Sequence, residues 1–421
     1  MNDDDDLGTM YSANFWRKIV ASAALVINIP QQYWDILKLP HTEQKLWRTA
    51  MNDEIKSLDE HKVWDLVALP PGQIPIKGRW VYAVKSDGRK KSHFVAKDFI
   101  QIFGIDFKET FSPVARFKTV RLLLSIAALE DWDIEALDVK TAFLFGELDE
   151  EIYMEQPEGF IQQGQEKKVC HLLKAIYGLK QATLQWNKPL HDFLLKMGFT
   201  RTLADPGVYI YFHNQDLIIL IIYVDDALFM GSNHSYLKFK KQEFMNKWES
   251  HDLEEVKEYL GMQITRDHIK KTLKLDQILY AEKVVKHFKL DNAKIACTPL
   301  SSGYNPMPNT TQSTPHLRSR YQSVIRSLLY IMLGTHPDIA QAVIKMSQFS
   351  SNPSEKHPQK ALYIMWYLVG TKNLCIKYNE TSKAGFVAYS DTDWADDHET
   401  HRSTSGYAIF LGDGIVSWLS R

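Results

Sequence analysis

LIILIIYVDDALFMGS, residues 217–232, decides how this chain is read. Leu217 to Ile222 form an unbroken apolar run, too short to span a bilayer and typical of a buried strand. Tyr223-Val224-Asp225-Asp226 follows, and then more apolar residues. A buried strand rarely tolerates one charge, let alone two side by side, unless something pairs them. At the tip of a β-turn, Asp225 and Asp226 can face a divalent cation. Mg²⁺ is a hard ion that takes oxygen ligands, commonly one or two carboxylates plus substrate phosphates. The tetrapeptide alone is better explained by an exposed hairpin turn, where Asp-Asp is common.

A third carboxylate changes the balance. Asp138 ends the strand-like stretch DIEALD (133–138) and precedes VKTAFLFG (139–146). An acid at a strand end can meet the Asp pair on a neighbouring strand. Three carboxylates from two segments can make a two-metal site, with ions about 3.5–4 Å apart clamping the attacking and leaving oxygens of an in-line phosphoryl transfer. The alternative for Asp138 is a helix N-cap, and an unrelated two-metal nuclease fits the carboxylates as well.

Working outward, residues 1–40 read as a weakly ordered leader. Asp3 to Asp6 make a solvated acidic tail, and Ile19 to Ile29 a short amphipathic or remnant segment rather than a signal peptide. From His41, Leu46, Met51, Ile55 and Leu58 recur at helical spacing, with Thr42 as a candidate cap. RWVYAVKSDGRKKSHFVAKD (79–98) predicts two strands joined at Ser86-Asp87-Gly88, a basic ribbon carrying Lys91 and Lys97. Residues 117–131 predict a helix. Residues 132–160 predict a strand, a helix start and a turn. Residues 168–199 predict a helix interrupted at Gly178. After Ser232 come a helix over 235–248, a strand over 260–264 and a helix over 277–288. Residues 308–315 read as a linker, 320–370 as helical and 384–421 as strands.

At roughly 100–200 residues per domain, 421 residues imply two to four domains. Hydrophobic residues at 45% and charged residues at 24% exclude collagen-like, wholly disordered and multi-span membrane classes. The formal net charge of −1 means that any nucleic-acid partner must be met by a local basic channel rather than by bulk charge. Cys170, Cys297 and Cys375 stand far apart, which argues against a disulfide framework or a structural zinc site.

The order and wording of these segments resemble the reverse transcriptase of copia-type (pseudoviral) LTR retrotransposons, from about Trp47 to the C-terminus. The resemblance is carried by WVYAVK (80–85), FVAKDFIQ and GIDFKETFSPVAR (within 94–116), LDVKTAFLFGELDEEIYMEQPEGF (137–160), YGLKQA with Trp186 (177–186) and YVDDALFMGS (223–232). It continues through YLGMQI (259–264), HPDIAQAV (336–343), NPSEKH (352–357) and YSDTDWADD with RSTSGYAIFLGDGIVSW (within 389–418).

The resemblance implies an α+β right-hand polymerase. Fingers and palm would occupy 41–232, the palm end with primer grip and thumb 233–307, a linker and helical connection 308–380, and a truncated RNase H-like α/β domain 381–421. It implies two Mg²⁺ ions (or Mn²⁺) held by Asp138, Asp225 and Asp226, a primer on an RNA or DNA template, and a dNTP as substrate. Phe143 matches the position that blocks a ribose 2′-hydroxyl, with plain core packing as its alternative. Gln181 matches a residue contacting dNTP or template, with a surface helix polar as its alternative. Leu260, Gly261 and Met262 match the primer grip. Lys91 and Lys97 match the fingers element that neutralises triphosphate, with a solvated edge strand as the alternative. Asp391 matches the first metal-binding Asp of RNase H. The family's next catalytic Glu and Asp lie beyond Trp418, so no RNase H activity is expected.

Several positions depart from the family's pattern. His93 stands at a usual Arg that grips triphosphate, and an imidazole lacks the bidentate fork. Asp98 stands at a usual Gly, Leu184 at an Arg, Phe145 at a small polar residue, Arg326 at a Gly and His336 at an Arg. The zinc knuckle, protease and integrase segments of a complete polyprotein are missing. Two outcomes are therefore carried forward: an RNA-directed DNA polymerase fragment, or a catalytically impaired remnant that folds and binds nucleic acid without polymerising. The resemblance places the protein in the cytoplasm, within virus-like particles, or in the nucleus, neither secreted nor in a membrane. The sequence leaves the oligomeric state open.

Overall fold

The computed structural model describes residues 29–84, 88–97, 101–291, 293–301, 303–379, 385–394 and 403–421. In chain order, α1 (Tyr33–Ile36) and α2 (His41–Glu60) precede β1 (Trp64–Ala68), β2 (Gly78–Val84), β3 (Lys90–Ala96) and α3 (Phe117–Leu129). Next come β4 (Asp133–Val139), a 3₁₀ turn (Ala142–Phe145), β5 (Glu147–Met154), β6 (Lys168–Lys174) and α4 (Ala182–Lys196). They are followed by β7 (Thr200–Arg201), β8 (Val208–His213), β9 (Asp216–Tyr223), β10 (Asp226–Gly231), α5 (His234–Lys247) and β11 (Ser250–Glu255). The remainder comprises β12 (Glu258–Tyr259), β13 (Met262–Asp267), β14 (Thr272–Asp276), α6 (Ile278–His287), α7 (Pro315–Gly334), α8 (Ala340–Ser347), α9 (His357–Thr371), β15 (Ile376–Asn379), β16 (Phe386–Thr392), β17 (Ser405–Leu411) and β18 (Gly414–Ser420).

The apolar run of 217–222 becomes β9, an inner strand of a six-stranded sheet ordered β11-β4-β10-β9-β8-β7. Its residues from Ile219 to Tyr223 are buried, which explains a run without polar alternation. Cross-strand partners point to the same face of a sheet, so register assigns the faces. Phe229 lies opposite Glu135, and both face α5. There Phe229 meets Phe244 with ring centroids 5.8 Å apart, and Lys241 pairs with Glu135 and with Asp252 (2.7 Å). Asp226 opposite Asp138, Leu228 opposite Ala136 and Met230 opposite Ile134 form the other face.

Three sequence expectations change. The leader does not extend to residue 40: Tyr33 and Ile36 of α1 are buried in the core, and Arg48 donates to the Tyr33 hydroxyl at 2.8 Å. Residues 168–174 are strand β6 rather than helix, because β6 takes its hydrogen bonds from β1 on one side and β5 on the other, and that pairing overrides local periodicity. The helix start after Asp138 is only one 3₁₀ turn, and residues 147–154, read as a turn, form β5. The basic ribbon pairs as its sequence predicts, from Gly78 opposite Ala96 to Val84 opposite Lys90, while its tip at 85–87 lies outside the described residues.

The C-terminal strands are joined to the rest. β15 extends the sheet β12-β13-β14, and β16-β17-β18 form an antiparallel meander. Arg121 of α3, only 4% exposed, donates to the carbonyls of Val416 (3.0 Å), Gly334 (3.1 Å) and Leu333. Its guanidinium lies 3.7 Å from the Trp418 ring centroid, and the Trp418 indole donates to Met332 O at 3.2 Å. Burial lowers the Arg121 pKa to about 10. The acceptors at the C-terminal end of α7 supply the partial negative charge that the buried cation needs.

Arg121→Met should strand these carbonyls and lower stability by about 2–3 kcal/mol, measured by urea unfolding. A second expectation concerns pH. His336 is fully buried, and burial holds its pKa below the ordinary value although Asp338 pulls the other way. A depressed folded value means that the unfolded chain takes the proton first. The stability from neutral His336 is therefore complete above the unfolded value of about 6.5 and is lost as pH falls towards the folded one. The urea midpoint should fall on acidification below that value, and His336→Gln should flatten the fall.

Candidate active site

The Asp pair sits where β9 turns into β10. Tyr223 and Asp226 are Cα partners, so Val224 and Asp225 alone make the turn. Val224 has φ +61°, a region that β-branched residues rarely enter. Hairpin turns of this length usually place Gly there. Such strain persists only where the surroundings over-determine it, and here they do. The Val224 side chain is 4% exposed, the Trp186 indole N–H donates to Val224 O at 2.7 Å, and Val139 N–H donates to Asp225 O at 2.8 Å. The second of these bonds ties the turn to the strand that carries Asp138.

Trp186 is itself held in an aromatic cluster. Its ring centroid lies 5.0 Å from that of Trp248 and 5.9 Å from that of Phe145, and Phe145 lies 4.9 Å from Trp248. Phe145, a departure from the family's pattern, is thus absorbed by packing. Gly146 allows α4 to close on the turn after β4, since a Cβ there would come within 2.6 Å of the Gln185 carbonyl carbon.

On the face away from α5, one row of the sheet reads His251 (β11), Asp138 (β4), Asp226 (β10), Tyr223 (β9). Asp138, Asp225 and Asp226 are all half-buried. Tyr259 is buried, with no hydrogen-bond partner for its hydroxyl among the described residues. Burial, and then the negative charge of Asp226, raises its pKa well above the ordinary value, so it stays a neutral donor. Beside Asp138, Lys140 pairs with Glu249 at 2.5 Å and, with His251 and His61, holds the Glu249 carboxyl below its usual range.

The three carboxylates suit a hard cation by their oxygen donors and by the register that sets Asp226 against Asp138. Among the described residues, no three His, Cys, Asp or Glu side chains form a metal-holding group by themselves.

The other expected site residues divide. Phe143 is 1% exposed, its ring edge-on to Tyr177 at 4.6 Å. Gln181 is buried rather than on a helix surface. Its amide nitrogen donates to Asp106 O (2.7 Å) and Glu150 Oε2 (3.2 Å), and its oxygen accepts from Gln101 (3.0 Å). Lys91 is exposed on β3, and Lys97 follows it, half-buried. His93 pairs with Glu54 at 3.2 Å, Leu184 is half-buried, and Asp98 lies outside the described residues. Leu260 (φ +51°) and Gly261 (φ +69°) make the two-residue turn between β12 and β13. Tyr330 donates to Leu260 O at 2.6 Å, and a Cβ on Gly261 would meet the Tyr330 hydroxyl at 1.9 Å, so only glycine fits. Met262 is buried. Asp391 is exposed on β16, in a different sheet from the triad.

Residues 61–302 match the model of a family described as reverse transcriptase (RNA-dependent DNA polymerase). The chain belongs to the reverse transcriptase family. It is similar to the Retrovirus-related Pol polyprotein from transposon TNT 1-94 of Nicotiana tabacum, 38% identical over 91% of this chain and 30% of that protein. It is similar to those from transposons RE1 and RE2 of Arabidopsis thaliana, at 36% and 34% identity, each over 89% of this chain and 26% of the relative. This reverse transcriptase chain therefore spans less than a third of these relatives' length. No helix among the described residues is long and apolar enough to cross a membrane.

Sequence reasoning missed Val224, His251, Tyr259 and Tyr177. Val224, Tyr259, Tyr177 and Trp186 lie inside quoted motifs with no local sign of what they contact, whereas His251 lies in none. Trp186→Phe should keep the ring and leave the buried Val224 carbonyl without its donor, lowering the urea midpoint by an amount equivalent to about 1–3 kcal/mol.

Proposed function

We propose that this chain is an RNA-directed DNA polymerase that joins a dNTP to a primer 3′-hydroxyl on an RNA or DNA template. The observation that carries the proposal is the register of Asp226 opposite Asp138, with Asp225 fixed at the adjoining turn. Asp138, Asp225 and Asp226 would hold Mg²⁺, or Mn²⁺ in its place. When bound, the ions would supply Lewis-acid activation of the attacking hydroxyl and charge neutralisation on the phosphates.

The chain's own residues would do the rest. The six-stranded sheet acts as the palm and the β2–β3 ribbon as the fingers, where Lys91 and Lys97 offer charge to a triphosphate. Phe143 backs the nucleotide site. Gln181, with its amide engaged internally, fixes the 101–107 loop as a wall. The Leu260-Gly261 turn, with Met262 buried behind it, presents backbone to the primer end. Tyr259, held neutral, can donate a hydrogen bond towards the carboxylates without adding charge.

Purified chain with Mg²⁺ should extend an oligo(dT) primer on poly(rA), and Asp225→Asn should lose extension while keeping its unfolding midpoint. Equal extension by both proteins, or none by either, would contradict active polymerisation. Template binding should weaken as salt rises, because phosphate contacts release counterions.

The second reading, an impaired remnant, is favoured by one observation. His93, at a usual Arg position, is directed to Glu54. On that reading His93→Arg with Asp98→Gly raises kcat/KM for dNTP, and an unchanged value counts against it.

A further inference from the structure

We infer that Arg266 is a positioning residue for the primer end: through Asp131 it ties the strand that follows the Leu260-Gly261 turn to the start of the strand that carries Asp138. The inference rests on the polymerase reading above, which makes that turn a primer contact and Asp138 a metal ligand. Arg266 lies on β13, its side chain only 4% exposed. Its Nη2 donates to Asp131 Oδ1 at 2.7 Å and to the Ala127 carbonyl at 3.4 Å, near the C-terminal end of α3. A cation is favoured there by the partial negative charge of the helix end. Nε and Nη1 are buried without a partner, so Asp131 is the one carboxylate that neutralises this guanidinium among the described residues. Asp131 also pairs with His268 at 3.4 Å.

The pair joins two strands that each lead to the site. Asp131, with φ +53°, makes the corner between α3 and β4, and β4 runs from Asp133 past Asp138 to Val139. On the other strand, Met262 follows the turn and Arg266 lies four residues further along β13, a span of about 13 Å. β13 is thus anchored at both ends, by Tyr330 on the Leu260 carbonyl (2.6 Å) and by Arg266 on Asp131. The covalent route from the palm sheet is less direct. β11 shifts register against β4 between Asp252 and Glu255, and Glu254 has φ +54°. A bulged strand bends, which leaves the ion pair to fix β13 against β4. Burial first, then the charges of Asp226, Tyr223 and Asp225, raise the pKa of Tyr259, the residue before the turn, so the turn lies within electrostatic reach of the carboxylates.

The test compares hydrogen–deuterium exchange and primer extension in the full chain. Asp131→Gly suits the positive φ but strands a buried cation, so its unfolding midpoint should fall. Adding Arg266→Met removes that cation, and the midpoint of the double variant should return towards wild type. The double variant should nevertheless exchange faster than wild type at residues 259–263. Its kcat for extension should fall about tenfold or more, with KM for dNTP changed less than about twofold, as expected of a misplaced primer end. Asp131→Asn, which keeps the acceptor and tolerates the backbone conformation, should retain both properties. Wild-type exchange at 259–263 in the double variant overturns the inference, as does faster exchange with unchanged kcat. So does a kcat that recovers together with the unfolding midpoint, the mark of a merely structural pair. Faster exchange at the turn, with no primer extension by the wild type, supports the tie between the strands and counts against the polymerase reading.

Discussion

A valine with φ +61° at the tip of a hairpin is the constraint on which the site depends. Left alone, the Tyr223–Asp226 turn would favour glycine at Val224 and would leave two carboxylates on a loose loop. Burial of the valine, the Trp186 indole on its carbonyl and the Val139 amide on the next carbonyl hold the turn in one place. The last of these bonds matters most for chemistry. It comes from the residue after Asp138, so the same contact that fixes Asp225 also fixes the strand that brings in the third acid.

The sheet separates its charges by face. Glu135 turns to α5, where Lys241 neutralises it, while Asp138 and Asp226 turn to the opposite face beside His251. Carboxylates so close repel one another unless cations are present, and the register keeps them close regardless. The surrounding packing must hold that arrangement, which accounts for the aromatic cluster of Phe145, Trp186 and Trp248 directly behind the turn. The C-terminal strands contribute at a distance. Arg121 ties the end of α7 and β18 to α3, so the meander is part of the same packed structure.

Much of this was legible in residue order. The apolar run of β9, the Asp pair, Asp138 at a strand end and the basic ribbon all follow from local pattern. Asp138 and Asp225-Asp226 were named as one site, although nothing local states that β4 and β10 are neighbours. What was illegible depends on tertiary pairing. The 168–174 segment has helical spacing yet becomes the middle strand of β1-β6-β5, because both neighbours offer it hydrogen bonds. His251 has no local signal, and only the bulged pairing of β11 with β4 sets it opposite Asp138. Gln181 is matched to a nucleotide or template contact, with a surface helix polar as the alternative, and nothing local signals that Gln101 and Asp106 fold back onto it.

The central claim is that Asp138 and the Asp225-Asp226 turn form one metal-binding unit. The most direct measurement is electron paramagnetic resonance titration of Mn²⁺ into the chain with primer–template and a non-hydrolysable dNTP, comparing wild type with Asp138→Asn. The account predicts two ions per wild-type chain and weakened, substoichiometric binding in the variant. Equal stoichiometry and affinity in the two proteins would contradict it.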